Sequence, residues 1–142
     1  MKRFNIYLAG VMQGISFEES NVWRKEITTI LNAYRNEVKY DVNIINPNDY
    51  YNFKEVRYDT QREVMEFDLH KVRNADMIVV DFRNPKSLGT MAEIAIAYEH
   101  RIPVIGLNES GIELHPWQIE MSNKIFADKD KLVNYIIDYY LN

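Results

Sequence analysis

"SLGTMAEIAIAYEHRIPVIGL" (residues 87–107) sets one helix and one strand end to end. Apolar and small residues fill 88–100 so densely that the spacing predicts a helix with almost no polar face, the mark of a helix packed on other structure. The β-branched run "IPVIGL" that follows predicts a short buried strand. One residue is out of place. Glu93 is the only charged group between Met91 and Tyr98, and an unpaired buried carboxylate costs roughly several kcal/mol.

The same helix–strand alternation recurs on both sides of this stretch. On the amino-terminal side, "FNIYLAG" predicts a strand over 4–9 stopped by Gly10. A helix follows with Val22, Ile27, Ile30, Leu31 and Tyr34 inward and Ser16 or Ser20 as its cap. "YDVNIINP" predicts a second strand ended by Pro47, and a helix over 60–74 with Val64, Leu69 and Val72 inward leads into the strand "MIVVDF". On the carboxyl-terminal side, "KIFA" and a final helix through Leu132, Val133, Ile136 and Ile137 close the series. Strands alternating with helices at this spacing predict an α/β fold: a five-stranded parallel sheet of order 2-1-3-4-5, a flavodoxin-like or Rossmann-like three-layer sandwich.

With 142 residues the chain reads as one domain, large enough to bury a core without disulfides. It has no cysteine and no apolar run near the roughly 20 residues of a membrane span, so a cytoplasmic protein is expected. The net charge of -4 supplies no basic field for nucleic acid or for anionic membranes. Small molecules and other proteins are the expected partners. Ten tyrosines among 13% aromatics suit a pocket lining or an oligomer interface.

In an open parallel sheet, ligands bind beyond the carboxyl ends of the strands, where strand order reverses. Here that crevice lies between the first and third strands, at the loops beginning at Gly10 and Asp81. Glu93, Asp68 and Asp81 converge on it. A carboxylate near a helix amino terminus serves as nucleophile or as ligand for a cationic centre, and retaining glycosyl transfer needs one carboxylate to attack and one acid to assist the leaving group. Plainer readings stand beside these. Glu93 is satisfied by backbone N–H groups or by Tyr7, Asp68 is one of several solvated acids on a charged helix, and Asp81 terminates a strand. Gly10, Gly14 and Gly89, with Ser16, Ser87 and Thr90, would let backbone approach an anion, although a turn explains Gly14 equally. His115 precedes a proline in a loop and faces a ligand there, whereas His70 and His100 read as surface residues. The pattern is neither GxGxxG nor a P-loop and holds no metal-ligand spacing, so no cofactor or metal is indicated.

"IYLAG", "FDLHKVRNADMIVVDF", "SLGTMAEIAIAY" and "IPVIGL" together resemble the nucleoside 2-deoxyribosyltransferase family and its relative, the 2'-deoxynucleoside 5'-monophosphate N-hydrolase. The likeness runs over about 4–107, with a looser echo at "HPWQIEMSNKIF". It implies that Glu93 attacks C1' to form a covalent 2-deoxyribosyl intermediate, that Tyr7 orients that carboxylate, and that Asp68 protonates the departing base. Gly10 and Gly89 would form the floor of the sugar site. It also implies a homo-oligomer, a dimer or larger, in which His115 reaches the sugar 5' end at the neighbouring subunit. Transfer or hydrolysis of a nucleoside or nucleotide, within nucleotide metabolism, is the expected activity, and a non-catalytic nucleotide-binding module of the same fold is the alternative. Two positions depart from the family pattern. Ser87 stands where transferases of free nucleosides carry an aspartate, as in the hydrolase, whose serine contacts phosphate. Yet "GVMQGIS" lacks the hydrolase's Ser-x-Arg-Gly-like phosphate segment, leaving that contact to His115, Ser16 or Lys86. Base preference is expected to depend on Trp23, Asn46, Asn48 and the loop "NDYYNFKEVRYDT" (48–60).

Overall fold

A computed structural model describes residues 1–50 and 58–142; most of the loop expected to set base preference lies outside them. In chain order the elements are β1 (Arg3–Ala9), α1 (Phe17–Ala33), β2 (Asp41–Ile45), a 3₁₀ turn (Pro47–Tyr50), α2 (Gln61–Arg73), β3 (Met77–Asp81), α3 (Leu88–Glu99), β4 (Val104–Leu107), α4 (Pro116–Met121), β5 (Lys124–Phe126) and α5 (Lys129–Ile136), which runs on as one π-helical turn (Ile137–Leu141). All strands pair in parallel in the order β2-β1-β3-β4-β5, as expected.

Strand parity builds two cores from one sheet. Alternate residues of a strand point to opposite faces, so Ile6, Leu8, Met77 and Val79 join Ile27 and Leu31 of α1 and Leu132, Val133 and Ile136 of α5. The alternate set, Tyr7, Ala9, Ile78 and Val80, packs with Val72 of α2 and Ile94 and Ala97 of α3. The result is three layers, α1 and α5 on one face and α2 and α3 on the other. Tyr7 therefore faces the α2/α3 layer. The helices start where their caps allow: Ser16 Oγ accepts from the Glu19 N–H at 3.1 Å, Thr60 Oγ1 from the Glu63 N–H at 3.3 Å, and Ser87 and Asp128 cap α3 and α5.

Three expectations need correction. Val22 is 49% exposed, and Trp23, at 1%, takes the core position beside it. The segment after His115 is a helix, too short for its periodicity to show, with Pro116 at its first position. α3 is not buried all round: Thr90, Ile94 and Ala97 meet the sheet, while Leu88 and Tyr98 stand in the open. Among the described residues no helix is long and apolar enough to cross a membrane.

Candidate active site

The buried residues Thr90, Ile94 and Ala97 form the seam of α3, and Glu93 falls inside it, three residues after Thr90 and four before Ala97. α2 repeats the pattern: half-buried Val64 and Asp68 precede buried Val72 at steps of four. Both acids thus occupy positions that face the sheet, and Tyr7 of β1 lies buried in the core that these two helices cover. Its hydroxyl donates a hydrogen bond to the Glu93 carboxylate. Asp68 lies close enough to act on both through its charge.

Burial dominates the electrostatics. It raises Glu93 from 4.5 to about 8; the Tyr7 hydrogen bond opposes that rise, Asp68 adds to it, and Arg24 opposes it. Tyr7 is pushed far above the usual phenol range, first by burial and then by Glu93 and Asp68, so it remains a donor at every physiological pH. A half-buried carboxylic acid near neutrality, held by a permanent donor and flanked by a second acid, is suited to nucleophilic work.

Arg24 is a site residue that the sequence reading missed. Its guanidinium is fully buried, with Nε donating to the Leu8 carbonyl at 3.3 Å, Nη2 to the Gly10 carbonyl at 3.1 Å and Nη1 to the Ser20 carbonyl. Burial lowers its pKa while Glu93, Tyr7, Asp81 and Asp68 hold it up. A signal was present: Arg24 stands three residues before Ile27 and seven before Leu31, on the inward stripe of α1.

The other expected site residues are distributed around this centre. Asp81 is buried at the end of β3, with one oxygen accepting from the Arg83 N–H at 3.3 Å and the other 3.5 Å from the Arg83 guanidinium. Burial raises its pKa and Arg83 opposes the rise, an arrangement that fits the strand-terminating reading. Gly10 is buried, and a Cβ there would meet Trp23 at 2.9 Å, so its lack of a side chain serves packing at the β1 end. Gly89 opens to space, and Gly14 is a turn residue with φ +79°. Ser87 caps α3 and sits 3.0 Å from the Thr90 hydroxyl.

His115 is exposed and caps α4: its Nδ1 accepts from the Trp117 N–H at 3.1 Å, and its own N–H donates to Gln118 Oε1 at 2.9 Å. It lines a cavity of about 650 Å³ with Ser87, Lys86, Met91 and Trp117, and neither Glu93 nor Tyr7 touches that cavity. Asn46 and Asn48, expected near the base, are buried and tied to Asn21 and Ser20, with Asn46 Nδ2 donating to Asn21 Oδ1 at 2.7 Å and Asn48 Nδ2 to Ser20 Oγ at 3.1 Å. Trp23 is core. Among the described residues no three His, Cys, Asp or Glu side chains gather into a metal site.

Known proteins with this fold supply the context. A conserved protein of Enterococcus faecalis V583 superposes with a TM-score of 0.79 at 16% identity, covering 94% of this chain and 97% of its own. The 2-deoxyribosyltransferase of Bacillus psychrosaccharolyticus gives 0.68 at 20% identity over 92% and 91%. A CMP N-glycosidase of Clostridium botulinum gives 0.58 at 17% over 96% and 99%. These likenesses are of fold. The curated proteins gave no match. The family model described as "Nucleoside 2-deoxyribosyltransferase like" matches residues 3–110, a span that contains Tyr7, Arg24, Asp68 and Glu93, and on that match the chain belongs to the nucleoside 2-deoxyribosyltransferase-like family.

Proposed function

We propose that this chain, acting over 1–142 as one deoxyribosyltransferase-like domain, cleaves the N-glycosidic bond of 2'-deoxyribonucleosides or their 5'-monophosphates through a covalent 2-deoxyribosyl-Glu93 intermediate. The observation that carries this reading is the hydrogen bond from Tyr7 to the Glu93 carboxylate, with Asp68 brought to the same point by the seam of α2. Ionised Glu93 attacks C1' from the face opposite the base; the C1'–N bond breaks toward the base, and Asp68 gives that nitrogen its proton. Water or an acceptor base then attacks C1', Glu93 departs as carboxylate, and Asp68 takes the proton back. Tyr7 holds the carboxylate in line in both steps. The 2-deoxyribosyltransferase and the CMP N-glycosidase that share this fold are both named for reactions at an N-glycosidic carbon, which supports the assignment.

In this reading Gly10 and Gly89 border the sugar, and Asp81, fixed by Arg83, shapes the loop after β3. Ser87 marks the sugar's 5' end, where a hydroxyl tolerates a phosphate that an aspartate would repel. A second copy of the chain covers the exposed apolar side chains Leu88 (86% exposed) and Trp117 (64% exposed), which line one cavity with His115. That placement brings His115 of each copy toward its neighbour's site.

Native mass spectrometry after incubation with a panel of deoxynucleosides and their monophosphates reads both claims. The expected result is a dimer or larger assembly, a 2-deoxyribosyl adduct that maps to Glu93, and free base in solution. A monomer overturns the shared site. If no base is released and no adduct forms, the enzymatic reading falls, and a ligand recovered intact that raises Tm marks the chain as a nucleotide-binding module.

A further inference from the structure

Arg24 is the one cation among the described residues that is fully buried, and none of the ion pairs recorded there includes it. Burying a guanidinium is expensive, and an apolar residue in line with Ile27 and Leu31 would pack the stripe without that expense. Its hydrogen bonds go to backbone instead. Two of the three carbonyls it binds, those of Leu8 and Gly10, flank the carboxyl end of β1, and the third, of Ser20, is one turn earlier on its own helix. Glu93, Asp68 and Asp81 gather negative charge within reach of the same end of the sheet.

We propose that Arg24 is a positioning residue for the reaction: reaching over from the α1 layer, it ties down the end of β1 that carries Tyr7 and supplies a fixed positive charge that favours the ionised form of Glu93. The charged and titratable groups whose fields reach this pair are Tyr7 of β1, Asp68 of α2, Asp81 of β3 and Glu93 of α3 for Arg24, and Tyr7, Asp68 and Arg24 for Glu93. Tyr7 stays neutral and the other acids are of like charge, so Arg24 is the only member of the set whose charge favours ionised Glu93. It works from a distance: it touches neither the carboxylate nor a substrate, and it acts through the Tyr7 strand and through its field. The inference rests on the role given to Glu93 above only for its catalytic consequence. The placement of the charge stands without it.

The test reads Glu93 in ligand-free protein, so that it succeeds or fails independently of turnover. The side-chain carboxyl carbons of glutamate are labelled with ¹³C, the Glu93 resonance is assigned by its absence in Glu93→Gln, and its titration is followed in wild type, Arg24→Met and Arg24→Lys. Loss of the charge in Arg24→Met is expected to raise the Glu93 midpoint by about 1 on the pH scale or more, and Arg24→Lys is expected to restore at least half of that rise. A folded Arg24→Met protein with an unmoved midpoint overturns the proposal and leaves Arg24 a packing residue. Wild type carries a second reading for the case in which the variants do not fold. The Arg24 Nε–H resonance is expected to shift with the Glu93 midpoint, and a flat trace from pH 6 to 10 overturns the coupling. An unmoved midpoint in an enzyme that still releases base refutes the role of Arg24 alone; a moved midpoint in a protein that releases none refutes the enzymatic reading alone.

Discussion

The two helical layers bury the same sheet with opposite chemistry. On the α1/α5 side the inward positions are Ile27, Leu31, Leu132, Val133 and Ile136, and Arg24 interrupts the stripe only at the carboxyl edge of the sheet. On the α2/α3 side, seams of the same spacing hold Asp68 and Glu93 among Val72, Thr90, Ile94 and Ala97. Strand parity decides which layer meets Tyr7 rather than Ile6 or Leu8. The seam that docks a helix on one face thus becomes, on the other, the device that aims two acids at one tyrosine. Both layers bury an apolar core, but the proposed chemistry lies in the second, and substitutions in each should separate fold from activity.

The largest separation is expected from Glu93→Gln. Removing the proposed nucleophile is expected to lower kcat by about 10,000-fold. Its effect on stability runs the other way. Because burial raises Glu93 from 4.5 to about 8, the folded chain keeps a proton there that the unfolded chain gives up. That contribution is whole below pH 4.5 and is lost as the pH climbs through 8. The glutamine carries no charge to bury, so at pH 9 the variant is expected to melt above wild type, and at pH 4 the gain is expected to vanish. A variant that is less stable at pH 9 would show that the carboxylate is well solvated in its seam, and the contrast between the layers would go with it.

Ile27→Ala is the counterpart on the other face. Ile27 is wholly buried, and its truncation is expected to destabilise the fold by about 3 kcal/mol, read by urea or thermal unfolding. kcat/KM per folded molecule should stay within about twofold, since the cavity opens on the side of the sheet away from Tyr7. A fall in kcat/KM beyond that, with the fold intact, would mean that the α1 layer transmits strain to the site, with Arg24, three residues earlier on the same helix, as the route.

How much of this was legible in the sequence follows the same division. Periodicity is a local property, and it yielded the order 2-1-3-4-5, the inward residues of α5 and the seam residue Val72. Glu93 stood out because its neighbours are apolar, the strand order brought Asp68 and Asp81 to the same crevice, and the family resemblance gave Tyr7 and Asp68 their expected roles. The misses are tertiary. Arg24 binds backbone carbonyls, which have no sequence identity to recognise, so nothing in the pattern singled it out. Val22 was placed inward because apolar character alone does not fix the rotation of a helix, and the buried stripe runs through Ser20, Trp23, Arg24, Ile27 and Leu31 instead. α4 has six residues, less than two turns, too few for a period to repeat. α3 read as buried all round because hydropathy counts apolar residues without knowing how many faces the sheet will cover; it covers one, and Leu88 and Tyr98 lie off it.

Tyr7→Phe sharpens the contrast with the smallest change, a single oxygen lost from the floor of the chemical layer. The Tyr7 hydrogen bond is one of the influences that lower the pKa of Glu93, and burial is the larger opposing one, so deleting the donor moves Glu93 above about 8. A hydrogen bond to a charged group contributes about 1.5–3 kcal/mol, which corresponds to a rise of about 1 or more on the pH scale. As a nucleophile Glu93 works ionised, so the acid limb of kcat/KM in wild type is expected near pH 8, and in the variant it should move up by that amount. At pH 7 the variant then falls about tenfold below wild type from ionisation alone, and the gap narrows as the pH rises past the displaced limb. The pH profile therefore separates the two jobs given to Tyr7. If it only orients the carboxylate, the loss is the same at every pH and the limb stays where it was. If it also tunes Glu93, the loss shrinks toward alkaline pH, because a base strong enough to ionise the carboxylate does for the variant what the tyrosine donor does for wild type.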